Sequence, residues 1–575
     1  MRSVFLSITV ILALLSAVAH AIVPAMGATR PAARARHAMV VGSEPLALTE
    51  GLKVLREGGN AVDAAITIAF ALAVTHPRAG NIGGGGFMLV RAPDGSTNCI
   101  DYRETAPAAA TRDMFLDPNG NTDEVASRQS HRASGVPGTV AGLTLALRRH
   151  GTIPLRRAIA PAIRLAADGF TVGRELEQEL ATDERTIARF PATRAVFFRD
   201  GHTLTEGMVL RQPDLAATLR AIRDKGSDGF YRGRVAQTLA ADMKTHGGLI
   251  TQEDLAAYQP IERPVLTGTF RSYEIISAPP PSSGGVALVQ ILHMLEPYDL
   301  KGLGHNSSAY IHLLSEVFKR AFADRSRWLG DPAFFDVPLE RLLSRDYATG
   351  MMRGFDPNQA TPAAAAGPGD PSPREKPSTT HFSIVDATGM IVSNTYTLND
   401  SFGSGVMAEG LGFLMNNQMD DFSTRPGSPN LYGLVGGEAN SIAPGKRMLS
   451  SMSPTIVLRK DSATSRSIPF LVLGSPGGPA IITSVAQVIL DITEFGIEPQ
   501  TAVNAPRFHH QWLPDRIWLD RGMFPVDVIE ALKRRGHDVA ERDPRGEVET
   551  ILVDPEGQWL FGASDARARG AAVGY

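Results

Sequence analysis

The spacing of apolar residues changes near residue 379 of this 575-residue chain. Before that point apolar residues recur mostly at helical spacing, and after it β-branched and aromatic residues form short runs bounded by turn residues. Residues 61–75 are apolar on nearly every side of the helix they predict, so we expect that helix to be deeply buried. Residues 308–328 predict a long amphipathic helix with one side in solvent. The charged residues assigned to that side are Lys319, Arg320, Asp324 and Arg325.

A β-hairpin is predicted around the turn Asp386–Gly389, and it follows a stretch rich in proline, alanine and glycine. If Val385 pairs with Ile391 across this turn, counting outward along both strands brings two threonines directly opposite each other. These residues are Thr379 and Thr397. The pattern therefore predicts a hydroxyl pair at the open end of the hairpin.

Thr379 has the features of a latent nucleophile. It begins a predicted buried strand, faces a second hydroxyl and follows a segment whose proline, alanine and glycine content predicts a flexible tether. Cleavage before Thr379 would give this residue a free α-amino group, which can act as the general base for its own hydroxyl. The same residues are also compatible with an ordinary linker and an ordinary hairpin, and taken alone they favour that simpler interpretation.

The composition describes a large globular protein with no electrostatic case for nucleic-acid binding. With 43% hydrophobic residues the chain can bury a large core, and it combines a formal net charge of −3 with the absence of any long run of lysine and arginine. The single cysteine, Cys99, excludes an intramolecular disulfide and a multi-cysteine metal site. We predict neither a metal site nor a cofactor.

The N-terminus predicts a cleaved signal peptide. Arg2 precedes an apolar run, and small residues at Ala19 and Ala21 suit a signal peptidase. We expect residues 1–21 to be removed, a disordered spacer to follow up to Ala38, and the mature protein to be periplasmic or secreted. No apolar run is long enough for a comfortable membrane span.

Three polar clusters in the second part of the chain occupy predicted loops. Ser475–Gly478 lies between a strand and a helix, where adjacent glycine N–H groups can form an oxyanion hole. Asn416–Asp421 offers amides and carboxylates, and Ser450–Ser451 offers hydroxyls. Each cluster alone also has an ordinary structural interpretation. These interpretations are a helix cap for Asp420–Asp421, a turn for Ser450–Ser451 and a strand-to-helix bend for Pro476–Gly478.

Together these segments resemble the γ-glutamyltranspeptidases, a family of the N-terminal-nucleophile hydrolase superfamily. The resemblance extends from about residue 36 to the end of the chain and is carried by several motifs in matching order and spacing. The motifs are Asp101–Glu104, Thr379–His381, Thr397–Asn399, Asn416–Phe422, Leu449–Pro454, Gly474–Gly478 and Asn504–His510.

The resemblance implies an α+β fold, a four-layer αββα sandwich. It also implies that the protein cuts itself between Ser378 and Thr379 into a heavy chain, residues 22–378, and a light chain, residues 379–575. The two chains would stay together as a non-covalent heterodimer and form one interwoven structural unit.

The resemblance further implies the roles of individual residues. Thr379 would be the nucleophile, Thr397 would hydrogen-bond its hydroxyl, and two glycines would form the oxyanion hole. These glycines are Gly477 and Gly478.

The α-carboxylate of a γ-glutamyl substrate would be held by Arg103, Ser450 and Ser451. Its α-ammonium would be held by Asn399, Gln418 and Asp421. Tyr432, in a predicted lid loop, would cover the bound glutamate. The implied substrates are γ-glutamyl compounds such as glutathione, with water, amino acids or peptides as acceptors.

Three alternatives remain. A glutaryl or cephalosporin acylase of the same superfamily has less need of Asp421 and Gln418, because a glutaryl group has no ammonium. A poly-γ-glutamate depolymerase is harder to reconcile with a lid that contains Tyr432, because a polymer must pass. An exported binding or structural protein has no need of Thr379, Thr397 and the glycine pair.

Overall fold

The computed structural model describes most of the chain. The described residues are 30–366, 378–461, 466–554, 556, 558–567 and 570–575. The predicted signal peptide and residues 367–377, immediately before the hairpin, lie outside them. Among the described residues, no helix is both long and apolar enough to cross a membrane.

The described residues form two seven-stranded sheets in which neighbouring strands are antiparallel. Sheet I contains, from edge to edge, Ala33–Ala35, Leu560–Ser564, Glu549–Val553, Ser467–Gly474, Thr455–Lys460, Tyr273–Ser277 and Leu266–Phe270. Sheet II contains Ala571–Gly574, Met39–Gly42, Ser378–Val385, Ile391–Asn399, Gly85–Arg91, Thr97–Asp101 and Ile261–Arg263. Both sheets combine strands from before and after residue 379, so the two parts of the chain are interwoven.

Helices cover the outer faces of both sheets. Sheet II packs against Pro45–Arg56, Ala61–Thr75, Thr139–His150, Ala160–Asp168 and Pro213–Lys225 in one hydrophobic core. A second core joins the inner faces of the two sheets and continues to the helices over sheet I, which are Gly284–Leu295, Ser308–Trp328 and Ala480–Thr493. The order of layers is helix, sheet, sheet, helix, which confirms the predicted αββα sandwich.

Smaller elements surround these layers. The remaining helices are Glu124–Arg128, Leu155–Ala158, Arg174–Thr182, Glu184–Ile187, Pro191–Phe197, Asp228–Tyr231, Gly233–Thr245, Gln252–Ala257, Leu300–Leu303, Leu339–Leu342, Arg345–Met351, Ala363–Ala366, Pro499–Asn504 and Val526–Arg534. The 3-10 helices are His131–Ala133, Gln418–Asp421 and Glu438–Asn440. The short strands are Phe170–Thr171, Phe198–Arg199, His202–Thr203, Val209–Leu210, Phe508–His509, Ile517–Asp520 and Val539–Arg542.

The helix Ala61–Thr75 has the predicted bounds and burial. Asn60 and Asp63 form a reciprocal capping box at its first turn, which satisfies two backbone donors that the helix leaves open. All of its residues are buried, as expected of a helix that is apolar on every side.

Two expectations about exposed segments are wrong. The spacer before Ala38 is not wholly disordered, because Ala33–Ala35 pairs with Leu560–Gly562 at the edge of sheet I. The charged side of Ser308–Trp328 does not face solvent, since Lys319 and Arg325 are 1% and 5% exposed. Other segments of the chain cover that side: Lys319 Nζ donates to the carbonyl of Thr361, and the Arg325 guanidinium donates to Ser451 Oγ. The periodicity of this helix does not identify the distant segments that cover its charged residues.

The hairpin register is as predicted. Val385 pairs with Ile391, and Thr379 pairs with Thr397. The register then shifts between Ser378 and Thr379, so the regular ladder ends at the peptide bond where cleavage is predicted. The fold therefore presents Thr379 as the first regular residue of a central strand.

Candidate active site

The Thr379 hydroxyl forms a hydrogen bond with a neighbouring strand. Its Oγ1 donates to Thr397 Oγ1 at 3.2 Å, and Thr397 Oγ1 also accepts the backbone N–H of Asn399 at 2.8 Å. Both threonines are buried. The backbone of Asn399 has a φ of 79°, which turns the chain away from the strand immediately after this contact.

A small cavity beside Thr379 brings together all the predicted site residues except Gly477. Its lining consists of Arg103, Arg325, Thr379, Thr397, Asn399, Gln418, Asp421, Tyr432, Leu434, Leu449, Ser450, Ser451, Met452, Gly478 and Ile481. A larger cavity of about 620 Å³ lies between Glu44, Arg78 and Glu547 and contains none of the predicted residues. We assign the candidate active site to the smaller cavity, because it contains the hydroxyl pair.

Arg103 is a buried cation in the lining of the cavity, and two carboxylates contact it. It is 1% exposed and forms ion pairs with Asp421 and, at 3.4 Å, with Glu104. Its Nε also donates to the carbonyl of Met448 at 3.2 Å. Burial raises the pKa of Asp421 to about 6 and that of Glu104 to about 7, although Arg103 opposes both shifts.

The side-chain amide of Gln418 is unsatisfied. Gln418 is completely buried, and neither its oxygen nor its nitrogen has a hydrogen-bond partner among the described residues. An unpaired buried polar group costs about 1–3 kcal/mol, so such groups are rare without a ligand or water. Because Gln418 lines the cavity beside Asp421, the amide is available to a polar ligand there.

Two hydroxyls and a second guanidinium also line the cavity. Ser450 Oγ accepts the backbone N–H of Met452 at 3.1 Å, and Ser451 Oγ accepts from Arg325 Nη2 at 3.3 Å. The sequence interpretation missed Arg325. Its spacing from Phe318 and Ala321 continues the buried side of the helix, and this spacing was the signal that could have identified it.

Gly477 and Gly478 form the turn between sheet I and the helix Ala480–Thr493. Their φ angles are 130° and 55°, values that favour glycine, and among the described residues none accepts from their N–H groups. Gly478 lines the cavity, whereas Gly477 packs against Gly546. Gly478 can therefore offer an N–H donor to the cavity that contains Thr379, and Gly477 precedes it in the same turn.

Tyr432 closes the cavity from the side of the predicted lid loop. Its hydroxyl donates to the carbonyl of Asn399 at 2.6 Å, and its own carbonyl accepts from Gln511 Nε2 at 3.0 Å. A side chain at Gly478 would lie 2.9 Å from the Tyr432 ring, so the ring packs closely on the glycine turn. This packing leaves only a small cavity beneath the tyrosine.

The fold and this site define a class of protein. An αββα sandwich with a threonine at the start of a central strand and a glycine turn whose N–H groups no described residue accepts is the architecture of the N-terminal-nucleophile hydrolases.

Comparisons with known proteins identify the family within this class. The family model described as gamma-glutamyltranspeptidase matches residues 47–575. The glutathione hydrolase proenzyme of Escherichia coli K12 is 48% identical over 536 residues, which cover 93% of this chain and 91% of that protein. The chain belongs to the γ-glutamyltranspeptidase family.

Solved structures agree with the fold. The cephalosporin acylase from Bacillus halodurans has a TM-score of 0.83 at 28% identity, covering 96% of this chain and 98% of its own. A chain of the Helicobacter pylori γ-glutamyltranspeptidase has a TM-score of 0.56 at 44% identity, covering 58% of this chain and 96% of its own.

Proposed function

We propose that this protein cleaves γ-glutamyl amides such as glutathione and transfers the γ-glutamyl group to water, amino acids or peptides. The observation that carries this proposal is the composition of the cavity beside Thr379. It contains guanidinium groups and hydroxyls suited to a carboxylate, and the Asp421 carboxylate and Gln418 amide suited to an ammonium. A glutamyl head group carries both charges on one carbon atom.

Maturation would create the nucleophile. Thr379 Oγ1 attacks the carbonyl carbon of Ser378, the peptide C–N bond breaks, and an ester to Thr379 forms together with a free α-amino group. Water then hydrolyses the ester and leaves heavy and light chains that end and begin at this bond. The register shift between Ser378 and Thr379 supports this step, because the ladder does not hold that peptide in regular geometry.

Turnover would use the same oxygen atom. Thr379 Oγ1 attacks the γ-carbonyl of the substrate while its proton passes to the α-amino group and then to the leaving amine. The C–N bond of the substrate breaks, and a γ-glutamyl ester remains on Thr379. Water or an acceptor amine attacks the ester and releases the threonine. Gly477 and Gly478 would stabilise the oxyanion, which is commonly the largest contribution to the rate.

The acylase alternative differs in the ammonium site. A glutaryl substrate would leave the buried Gln418 amide without a partner and would bring no ammonium to the Asp421 carboxylate, whose ion pair is with Arg103. The family match and the identity of 48% to a glutathione hydrolase favour activity on γ-glutamyl substrates, although one solved relative is a cephalosporin acylase.

The test compares two chromogenic anilides that differ only in the α-ammonium. Purified protein should hydrolyse γ-glutamyl-p-nitroanilide at least about tenfold more efficiently than glutaryl-p-nitroanilide, because one charge-assisted hydrogen bond is worth about 1.5–3 kcal/mol. A preference for the glutaryl compound would support an acylase, and activity on neither would refute both readings. Glycylglycine as acceptor should increase product release if transfer occurs.

We also propose that the protein is exported to the periplasm or secreted after loss of residues 1–21. The apolar run behind Arg2 supports this proposal. N-terminal sequencing of the mature protein should give a heavy chain that starts near residue 22 and a light chain that starts at Thr379. A heavy chain that keeps Met1 would contradict the export proposal.

A further inference from the structure

The two guanidinium groups of the cavity have unequal partners. Two carboxylates near the site, Glu104 and Asp421, form ion pairs with Arg103. Arg325 forms no ion pair with a carboxylate among the described residues. Its Nε donates to Ser283 Oγ at 3.0 Å and its Nη2 to Ser451 Oγ at 3.3 Å, and no described residue accepts from Nη1.

A buried cation in this position is unfavourable without an anion. Arg325 is 5% exposed, and burial lowers its pKa to about 10. Arginine keeps its proton even there, so the charge persists and needs compensation. Asp421 acts on Arg325 only through longer-range attraction, because its carboxylate is already bound to Arg103. The remaining place for a compensating anion is the cavity that Arg325 lines.

We propose that Arg325 binds the α-carboxylate of the γ-glutamyl substrate, through its open Nη1 group and through the Ser451 hydroxyl that it orients. This inference rests on the proposed function and adds a substrate-binding residue to it. Arg103 then acts on both charged groups of the glutamyl head. It contributes to carboxylate binding, and it holds Asp421 in position for the ammonium. A guanidinium can do this because its fork of donors meets carboxylate oxygens in one plane.

A purely structural role is the competing explanation. Arg325 also joins Ser283, at the start of the helix Gly284–Leu295, to Ser451 on the loop before sheet I. Loss of that connection alone would damage the site for every substrate equally. Loss of a carboxylate ligand would damage it only for substrates that carry the carboxylate.

Three anilides separate these explanations. γ-Glutamyl-p-nitroanilide carries both charged groups, glutaryl-p-nitroanilide only the carboxylate, and 4-aminobutyryl-p-nitroanilide only the ammonium. In Arg325→Gln, kcat/KM for the first two should fall by about 10- to 100-fold, and for the third by less than about threefold. The matched control is Arg327→Gln, two residues along the same helix and exposed, which should leave all three values unchanged.

Two further measurements cover variants or substrates that fail. If Arg325→Gln does not mature, Arg325→Lys keeps the charge without the planar fork and should lose about three- to tenfold on the carboxylate substrates alone. If 4-aminobutyryl-p-nitroanilide is too slow, inhibition constants for L-glutamate and 4-aminobutyrate replace it, and only the former should weaken. An equal loss for all substrates, or for both inhibitors, would overturn the inference. Wild-type protein that is inactive on γ-glutamyl-p-nitroanilide would instead refute the proposed function.

Discussion

The Thr397 hydroxyl lies 3.2 Å from the Thr379 hydroxyl and simultaneously accepts the backbone N–H of Asn399. Because the N–H group fixes one lone pair of Thr397 Oγ1, its other lone pair is directed to Thr379. The contact orients the hydroxyl of the proposed nucleophile before any substrate is present, and preorganised geometry of this kind lowers the barrier to attack.

Replacement of Thr397 by valine tests this orientation. Thr397→Val keeps the shape of the side chain and removes both hydrogen bonds, so both self-cleavage and turnover should slow by about 10- to 100-fold. A time course of chain cleavage on gels and kcat for γ-glutamyl-p-nitroanilide measure the two rates. The control is Thr67→Val, because the Thr67 hydroxyl donates to the Asp63 carbonyl of its own helix, and this variant should leave both rates unchanged. Normal rates in Thr397→Val would contradict the role.

Substitutions at the hairpin start separate the nucleophile from its neighbour. Thr379→Ala should remain a single chain without activity, and Thr379→Ser, which keeps a hydroxyl, should still be cut. Thr380 has its hydroxyl near Ser43 Oγ at 3.4 Å, outside the cavity, so Thr380→Val should mature normally. Gel analysis of the three purified proteins is sufficient. A mature, active Thr379→Ala protein would refute the mechanism.

Because the amide of Gln418 is unsatisfied, its removal should weaken substrate binding without lowering the stability of the fold. Gln418→Met fills the same space without the unpaired polar atoms, so the free energy of unfolding should stay the same or rise by about 1 kcal/mol. KM for the γ-glutamyl substrate should rise by about tenfold.

Gln487 is the matched control for this substitution. It is also buried, but its amide is bonded to Thr483 and Phe508. Gln487→Met should therefore lower the free energy of unfolding by about 1–3 kcal/mol. Thermal unfolding and KM of both variants provide the comparison. A strongly destabilised Gln418→Met would show that the amide has a partner within the folded protein.

The pKa of Asp421, raised to about 6 chiefly by burial, predicts a pH-dependent preference. The ammonium of the substrate needs the ionised carboxylate, which is lost as the pH falls through this value. The ratio of kcat/KM for γ-glutamyl- to glutaryl-p-nitroanilide should therefore fall by up to about tenfold per pH unit below about 6. The ratio removes the titration of the Thr379 α-amino group, which both substrates share. Asp421→Asn should abolish the dependence, and an unchanged slope there would assign it to another group.

The sequence predicted those features that depend on local pattern. The hairpin register followed from pairing Val385 with Ile391, and the buried helix Ala61–Thr75 followed from its apolar periodicity. The position of the site residues around one cavity was an expectation from family motifs, since segments that are distant along the chain have no local signal of proximity.

The failures concern surfaces that other segments cover. Arg325 and Lys319 are predicted to face solvent, because charged residues on an amphipathic helix are usually exposed. In the structure other segments of the chain cover them. Ala33–Ala35 is predicted to be disordered, because its alanines and arginine are not typical strand residues. In the structure this segment pairs with Leu560–Gly562 and forms the edge strand of sheet I. Tertiary packing decided both cases, and the nearby sequence carries only one signal of it, the spacing of Arg325 from the buried Phe318 and Ala321.

The most direct measurement is the location of the acyl group during turnover. Enzyme mixed with γ-glutamyl-p-nitroanilide, quenched in acid within the steady state and digested, should yield a light-chain N-terminal peptide heavier by one γ-glutamyl group, with fragmentation assigning it to Thr379. The same peptide without the added mass under conditions of full turnover, or the added mass on any other residue, would contradict the account.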